Sequence, residues 1–211
     1  MEISNNNVCV VGKLASGFKF DHEVYGEGFY SAYIEVERLS KEKDILPVMV
    51  SERLLDMSKD YYEKRAAIKG QFRSFNQYGD SGKRKLVLNI FALEIEVLDD
   101  SDEREDENEI CLDGYICKPP VYCETPFGRE ISDLLIAVNR SYGKSDYIPC
   151  IAWGRNARYA SRFEVGTRVK VWGRIQSREY TKKFDEAGCE KRVAYETSIY
   201  RMERGWREEQ N

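Results

Sequence analysis

The chain has 211 residues, of which 42% are hydrophobic and 33% are charged. This composition is typical of a folded globular protein and excludes a fibrous or wholly disordered chain, and the length suits one large domain or two of roughly 100 residues. No apolar run approaches the roughly 20 residues of a membrane span, and the first residues lack the features of a signal peptide. We therefore expect a cytoplasmic protein without a membrane segment.

The cysteines and the histidine give no sign of a metal site. Six cysteines are scattered without a closely spaced pair, and the chain has one histidine, His22. Zinc sites normally use closely spaced Cys or His pairs, so we expect no metal and reduced cysteines that pack as small apolar residues. No base, nucleophile and metal come together, and no phosphate-binding glycine loop is present. The sequence predicts a protein that is not an enzyme and has no cofactor.

An acidic segment at residues 99–108, DDSDEREDEN, separates two halves that can be laid over each other. Matching strand sequences place Pro47 on Pro149, which indicates an internal duplication. The segment has a net charge of −6, and because like charges repel, we predict a solvated linker. The predicted domains are residues 1–98 and 109–205, followed by a short tail at 206–211.

Both halves show the same order of predicted elements. In the first half we predict strands at residues 7–14, 29–37, 45–50, 66–74 and 84–98, with a helix at 52–64. In the second half we predict strands at residues 109–118, 129–140, 147–153, 167–177 and 191–204, with a helix at 155–163. Five strands with one helix between the third and fourth is the order of the OB-fold, a small Greek-key barrel. The predicted fold is therefore all-β, with one short helix per domain and two tandem five-stranded OB-fold barrels.

Residues 147–180 combine aromatic and basic side chains in an alternating pattern. In the first strand of this stretch, Tyr147 and Trp153 share one face, opposite Ile148 and Ala152. In the next strand, apolar residues alternate with basic residues and Trp172. A basic sheet face with aromatic rings suits sequence-tolerant binding of single-stranded nucleic acid, because cations contact phosphates and rings stack on bases. The alternative is that these rings are core or interface residues and the arginines are solvated.

The overall net charge of −4 hides an asymmetry between the halves. Residues 109–205 carry a net charge of +4 once the acidic segment is set aside. The acidic sequence pI near 5.4 is therefore compatible with a nucleic-acid-binding second half.

Four stretches carry a resemblance to a known family: IAVNRSY at 136–142, YIPCIAWGR at 147–155, VGTRVKVWG at 165–173 and GRIQSREYTKK at 173–183. Over the second half the chain resembles the bacterial single-stranded DNA-binding protein family. The resemblance implies base-stacking rings at Tyr142, Tyr147, Trp153 and Tyr180. Arg140, Arg155, Arg174 and Arg178 lie alongside in sequence as candidate phosphate partners. Trp172 is interpreted as a packing residue.

The first half departs from the family pattern because its four corresponding residues, Ser40, Ile45, Ser51 and Gln77, are not aromatic. Either this barrel binds nucleic acid through other residues, or it is an interface or partner-binding module. The candidates for the first alternative are Phe75, Tyr78, Lys83, Arg84 and Lys85. The chain also lacks the acidic, phenylalanine-ended tail by which the family recruits other proteins, so recruitment by that route is not expected.

The resemblance implies a protein that binds single-stranded DNA with little sequence preference in replication, recombination or repair. Its implied partners are single-stranded DNA and replication or repair proteins, and a homodimer would give the four barrels of the family's tetramers. The alternative is an OB-fold protein-interaction or primosome-like adaptor module with weak nucleic-acid binding. RNA remains a lesser alternative, because stacking alone distinguishes the two sugars poorly.

Overall fold

The computed structural model describes residues 5–78, 84–184 and 188–205, which form twelve β-strands and one short α-helix. The first half contains β1 (Asn6–Leu14), β2 (Lys19–Val24), β3 (Glu27–Glu37), β4 (Lys43–Ser51), β5 (Arg65–Tyr78) and β6 (Arg84–Val97). The second half contains β7 (Glu107–Ile116), β8 (Val121–Glu124), β9 (Glu130–Asn139), β10 (Ser145–Trp153), α1 (Arg155–Ala160), β11 (Arg168–Phe184) and β12 (Gly188–Arg204). A single turn of 3-10 helix, Ser141–Gly143, precedes β10.

Each half closes into a five-stranded barrel. In the first, β1 pairs with β3 and β5, β5 pairs with β6, β6 runs parallel to β4, and β4 pairs with β3. The second half repeats these pairings with β7, β9, β10, β11 and β12. The prediction of two tandem OB-fold barrels is therefore confirmed.

Closure of each barrel depends on a glycine in its first strand. At Gly12, β1 passes from pairing with β7 to pairing with β3 while it stays paired with β5, and an added Cβ would lie 2.2 Å from the carbonyl oxygen of Glu35. At Gly114 the corresponding distance to the carbonyl oxygen of Ala137 is 2.4 Å. Both distances are far below van der Waals contact, so only glycine allows the two backbones to approach this closely.

The strands show the predicted alternation, in which every second side chain of a strand lies in the interior of its barrel. In β10, Ile148, Cys150 and Ala152 are buried. In the first barrel, Ile34 and Phe72 are fully buried. This period of two is what leaves the opposite face of each strand available to solvent or ligand.

Two predictions about local structure are wrong. Residues 52–64 form turns instead of a helix, since the carboxylates of Asp56 and Asp60 accept hydrogen bonds from the backbone N–H groups of Ser58 and Tyr62, at 3.1 and 2.9 Å. Such turns compete with helical hydrogen bonds. In addition, β2 and β8 occupy stretches predicted as loops, and each forms a hairpin with the strand that follows.

The acidic segment is a solvated linker only in part. Its Asp106 forms an ion pair with Arg65 at 2.8 Å and accepts a hydrogen bond from the backbone N–H of Glu37 at 2.9 Å. Strand β7 begins at Glu107, within the predicted linker. The prediction of a solvated linker is wrong at this end, because Arg65 and the backbone of Glu37 in the first barrel bind the carboxylate of Asp106.

The two barrels are joined into one continuous sheet. Strands β1 and β7 pair antiparallel over six residue pairs, from Asn6 opposite Leu112 to Val11 opposite Glu107. Asp44 accepts a hydrogen bond from the backbone N–H of Ser177 at 2.8 Å, and in the equivalent contact Asp146 accepts one from Ser74 at 2.6 Å. Each barrel thus binds the other through the same position of the duplication.

Candidate nucleic-acid interface

Strand β10 places two of the predicted rings on the outer face of the second barrel. Tyr147 is 44% exposed and Trp153 is 39% exposed, while Ile148 and Ala152 on the opposite face are fully buried. Six residues of extended strand separate the two rings by about 20 Å. Both are therefore available to a ligand that runs along this strand.

Local contacts fix the position of Trp153. Its indole Nε1 donates a hydrogen bond to the hydroxyl of Ser198 on β12, at 3.1 Å. Gly154, which follows with a positive φ of 53°, lets the chain turn from β10 into α1. The next residue, Arg155, is exposed at the start of this helix. The ring and the guanidinium thus follow one another at the same edge of the barrel.

Tyr180 lies on the long hairpin formed by β11 and β12. It is 39% exposed and is paired with Arg192 across the hairpin. Arg192 forms an ion pair with Glu190 at 2.7 Å. Tyr180 therefore presents its ring on an extended hairpin beyond the closed part of the barrel.

The fourth predicted ring, Tyr142, has its backbone in the 3-10 turn before β10, but its side chain is outside the described part of the structure. Of the first-barrel candidates, Lys83 lies outside the described residues, as do the side chains of Tyr78 and Arg84. Phe75 is 46% exposed and Lys85 is exposed. Phe75 follows Ser74, whose hydroxyl accepts a hydrogen bond from the backbone N–H of Tyr147 at 2.7 Å.

Two of the four predicted phosphate partners have acidic neighbours. Arg140 lies 3.1 Å from the fully buried carboxylate of Asp146, and burial raises the pKa of that carboxyl above its usual range. Arg178 lies at the longer distance of 3.7 Å from Glu196, and its side chain is 61% exposed. Arg140 is thus held by an acidic partner that stabilises the barrel, whereas Arg178 remains accessible.

Arg174 has a different environment. Its Nε atom, like that of Arg140, is buried and has no hydrogen-bond partner among the described residues, but no carboxylate of these residues forms an ion pair with Arg174. A buried donor without a partner costs free energy. Arg174 and Arg178 both line the cleft that contains Trp153.

A β-bulge separates Trp172 from Arg174. The register of β11 against β12 shifts between Trp172 and Gly173, which leaves Tyr200 as the extra residue of β12. The guanidinium of Arg201 lies over the Trp172 ring at 4.3 Å from its centroid. Trp172 lines a separate depression at the junction of the barrels, which Trp153 does not line.

The first barrel presents no ring at its four corresponding positions. Ile45 is 45% exposed, Ser51 is buried, and Ser40 and Gln77 are exposed polar residues. Sequence reasoning nevertheless missed a feature of this barrel. Its Tyr33 and Lys43 line a cleft of about 1350 Å³ together with Trp153, Arg174 and Tyr195 of the second barrel. The signal available in the sequence was an outward tyrosine at 33 where the duplicate has Leu135.

The described part of the chain meets neither the requirements of a metal site nor those of a membrane-spanning helix. Within residues 5–78, 84–184 and 188–205, no group of three or more His, Cys, Asp and Glu side chains is arranged to hold a metal ion. In the same part of the chain, none of the helices has the length and apolar character needed to cross a membrane.

The fold and the site define a class: tandem OB-fold barrels in which the second barrel has an outer face with exposed rings and arginines. A sequence model of the single-strand binding protein family matches residues 107–204. Over 80 residues, the chain is 32% identical to single-stranded DNA-binding protein B of Bacillus subtilis, covering 35% of this chain and 71% of that protein. The chain belongs to the single-strand binding protein family.

Other relatives extend the comparison. The chain is 34% identical over 80 residues to single-stranded DNA-binding protein 2 of Listeria innocua, covering 35% of this chain and 50% of that protein. The chain spans about half the length of this relative and of single-stranded DNA-binding protein A of Bacillus subtilis. The crystal structure of the single-stranded DNA binding protein from Thermus aquaticus has a TM-score of 0.78 at 19% identity, covering 98% of this chain and 95% of that chain. This similarity confirms the tandem fold over nearly the whole chain.

Proposed function

We propose that this protein binds single-stranded DNA with little sequence preference, by base stacking and phosphate contacts, and catalyses no reaction. The observation that carries the proposal is the outer face of the second barrel, where Tyr147, Trp153 and Tyr180 are each 39–44% exposed. Every base has a π-face, so stacking on such rings tolerates any sequence. The biological setting that we propose is replication, recombination or repair.

The arginines of this face supply the second part of the interaction. Arg155 and Arg178 are exposed, and Arg174 has a buried Nε without a partner in the described structure. Phosphate oxygens are negatively charged acceptors, so they form strong hydrogen bonds with the N–H groups of arginine. Tyr142 belongs to the proposed site by the family pattern. Arg140 belongs to it because it lies alongside the rings in sequence, and it is placed beside Asp146.

Titration of the protein with oligo-dT at two salt concentrations, followed by tryptophan fluorescence, tests the proposal. We expect strong quenching, and an affinity that falls as salt rises with a log–log slope of about −0.7 for each phosphate contacted. Trp153→Phe should remove most of the quenching while retaining an aromatic ring, whereas Trp172→Phe should leave the quenching in place, because Trp172 lies in a different depression.

Absence of quenching at low salt, together with no binding by a second method, would contradict the proposal. A tight complex with a protein under the same conditions would then favour the alternative of an OB-fold interaction module. Comparison of oligo-dT with oligo-U determines whether the site discriminates DNA from RNA.

We propose further that the protein forms a homodimer, which would present the four barrels implied by the family resemblance. Light scattering at micromolar concentration should give twice the chain mass of 24.6 kDa. A monomeric mass under these conditions would contradict this assembly. Replication or repair proteins are proposed as partners of the DNA-bound form.

A further inference from the structure

We propose that single-stranded DNA continues from Trp153 into the cleft between the barrels, where Tyr33 of the first barrel stacks on a base. This inference rests on the proposed function and identifies a further binding position for the same ligand. It assigns a role to the first barrel, although that barrel lacks rings at all four family positions.

Residues of both barrels line the cleft. Trp153 and Ser198 line one part of it, and Tyr33 and Lys43 line the part formed by the first barrel. A hydrogen bond from the backbone N–H of Ile45 to the hydroxyl of Ser177, at 3.2 Å, joins the walls. A strand that stacks on Trp153 therefore meets a surface of the first barrel within the same cleft.

Tyr33 has the exposure and the support that stacking requires. It is 45% exposed, and its backbone N–H donates a hydrogen bond to the hydroxyl of Ser16 at 3.0 Å. Tyr195 lies near it from β12 and packs against the core. Burial, and to a lesser extent the neighbouring Tyr33, raise the pKa of Tyr195 to about 12, so its hydroxyl remains protonated near neutral pH.

The charge of the cleft favours an anionic ligand such as a phosphate backbone over a cationic or apolar ligand. Five cationic and two acidic side chains line it: Arg38, Lys43, Arg129, Arg174 and Arg178, with Glu42 and Glu179. Arg38 and Lys43 already contact Asp44 and Glu35. Arg174 has the buried Nε without a partner in the described structure. Arg174 lines the same cleft as Trp153 and Tyr33, which makes it a phosphate partner of this segment of DNA.

Affinity for a fluorescein-labelled oligo-dT of about 30 nucleotides, long enough to cover both barrels, tests the inference. Tyr33→Ala should weaken binding about 5- to 100-fold, as expected for loss of one stacked base. Tyr33→Phe should bind like the wild type, since stacking does not need the hydroxyl. Tyr62→Ala is the matched control, because Tyr62 is a 54% exposed tyrosine of the first barrel that does not line this cleft.

Photocrosslinking gives a second measurement that does not depend on affinity. An oligonucleotide containing 5-iododeoxyuridine should form adducts at both Trp153 and Tyr33 after irradiation. Wild-type affinity of Tyr33→Ala, or adducts at Trp153 with none at Tyr33, would overturn the inference while the proposed function stands. Failure of the wild-type protein to bind oligo-dT would instead overturn the proposed function itself.

Discussion

Replacing Trp153 and Tyr180 together by alanine is expected to lower the affinity for oligo-dT by at least about 30-fold. Each stacked base contributes about 1–3 kcal/mol, and these rings lie on different strands, so their contributions should be nearly additive. Two such losses correspond to a decrease between about 30-fold and four orders of magnitude. Fluorescence anisotropy of a labelled oligonucleotide measures this, because the variant has lost the Trp153 signal.

The control for this variant is the pair Tyr25→Ala and Tyr62→Ala. Both tyrosines are exposed in the first barrel, and neither lines the cleft with Trp153. The control variant should retain wild-type affinity. If the Trp153 and Tyr180 variant also binds normally while remaining folded, the outer face of the second barrel is not the DNA-binding surface.

Substitution of Asp44 by alanine is expected to reduce the free energy of unfolding by about 3–5 kcal/mol, the usual cost of removing one partner of a buried ion pair. The carboxylate is fully buried and accepts two hydrogen bonds from Arg38, at 2.7 and 2.6 Å. It also accepts the N–H of Ser177 from the second barrel at 2.8 Å. Urea denaturation followed by circular dichroism measures the loss.

Glu42→Ala is the matched control, since Glu42 pairs with the same Arg38 but its side chain is 70% exposed. Exposed ion pairs contribute at most about 1 kcal/mol, so this variant should unfold close to the wild-type midpoint. Equal effects of the two substitutions would contradict a specific role for the contact between Asp44 and Ser177. Separation of unfolding into two transitions in Asp44→Ala would indicate that this contact couples the barrels.

Reciprocal contacts join the two halves at equivalent positions of the duplication. Asp44 and Asp146 occupy equivalent positions, and each binds a serine of the opposite barrel. The first half therefore retains the residues that join the barrels while it lacks the rings at the family positions. Its own tyrosine, Tyr33, lies in the cleft that the joined barrels form.

The strand order of each barrel was predictable because it depends on local alternation and on glycines that recur in the duplication. The same period of two placed Tyr147 and Trp153 on one face of their strand, and the structure shows that both rings are exposed. The helix predicted at residues 52–64 was wrong because composition does not reveal that Asp56 and Asp60 bind nearby backbone N–H groups. The short side chains of these aspartates compete with helical carbonyl groups for backbone N–H donors, and hydrophobic periodicity does not reveal this competition.

The sequence by itself determined the two barrels and the basic character of the second half, because these depend on residue type and short-range spacing. The four candidate rings came from the resemblance to a known family. Tertiary structure alone decided which side chains of different barrels meet. Pairing of β1 with β7 and the contact of Asp44 with Ser177 bring Tyr33 into the cleft that contains Trp153, although 120 positions separate them in the chain. Such a juxtaposition depends on packing between distant segments, which leaves no periodic signal in either one.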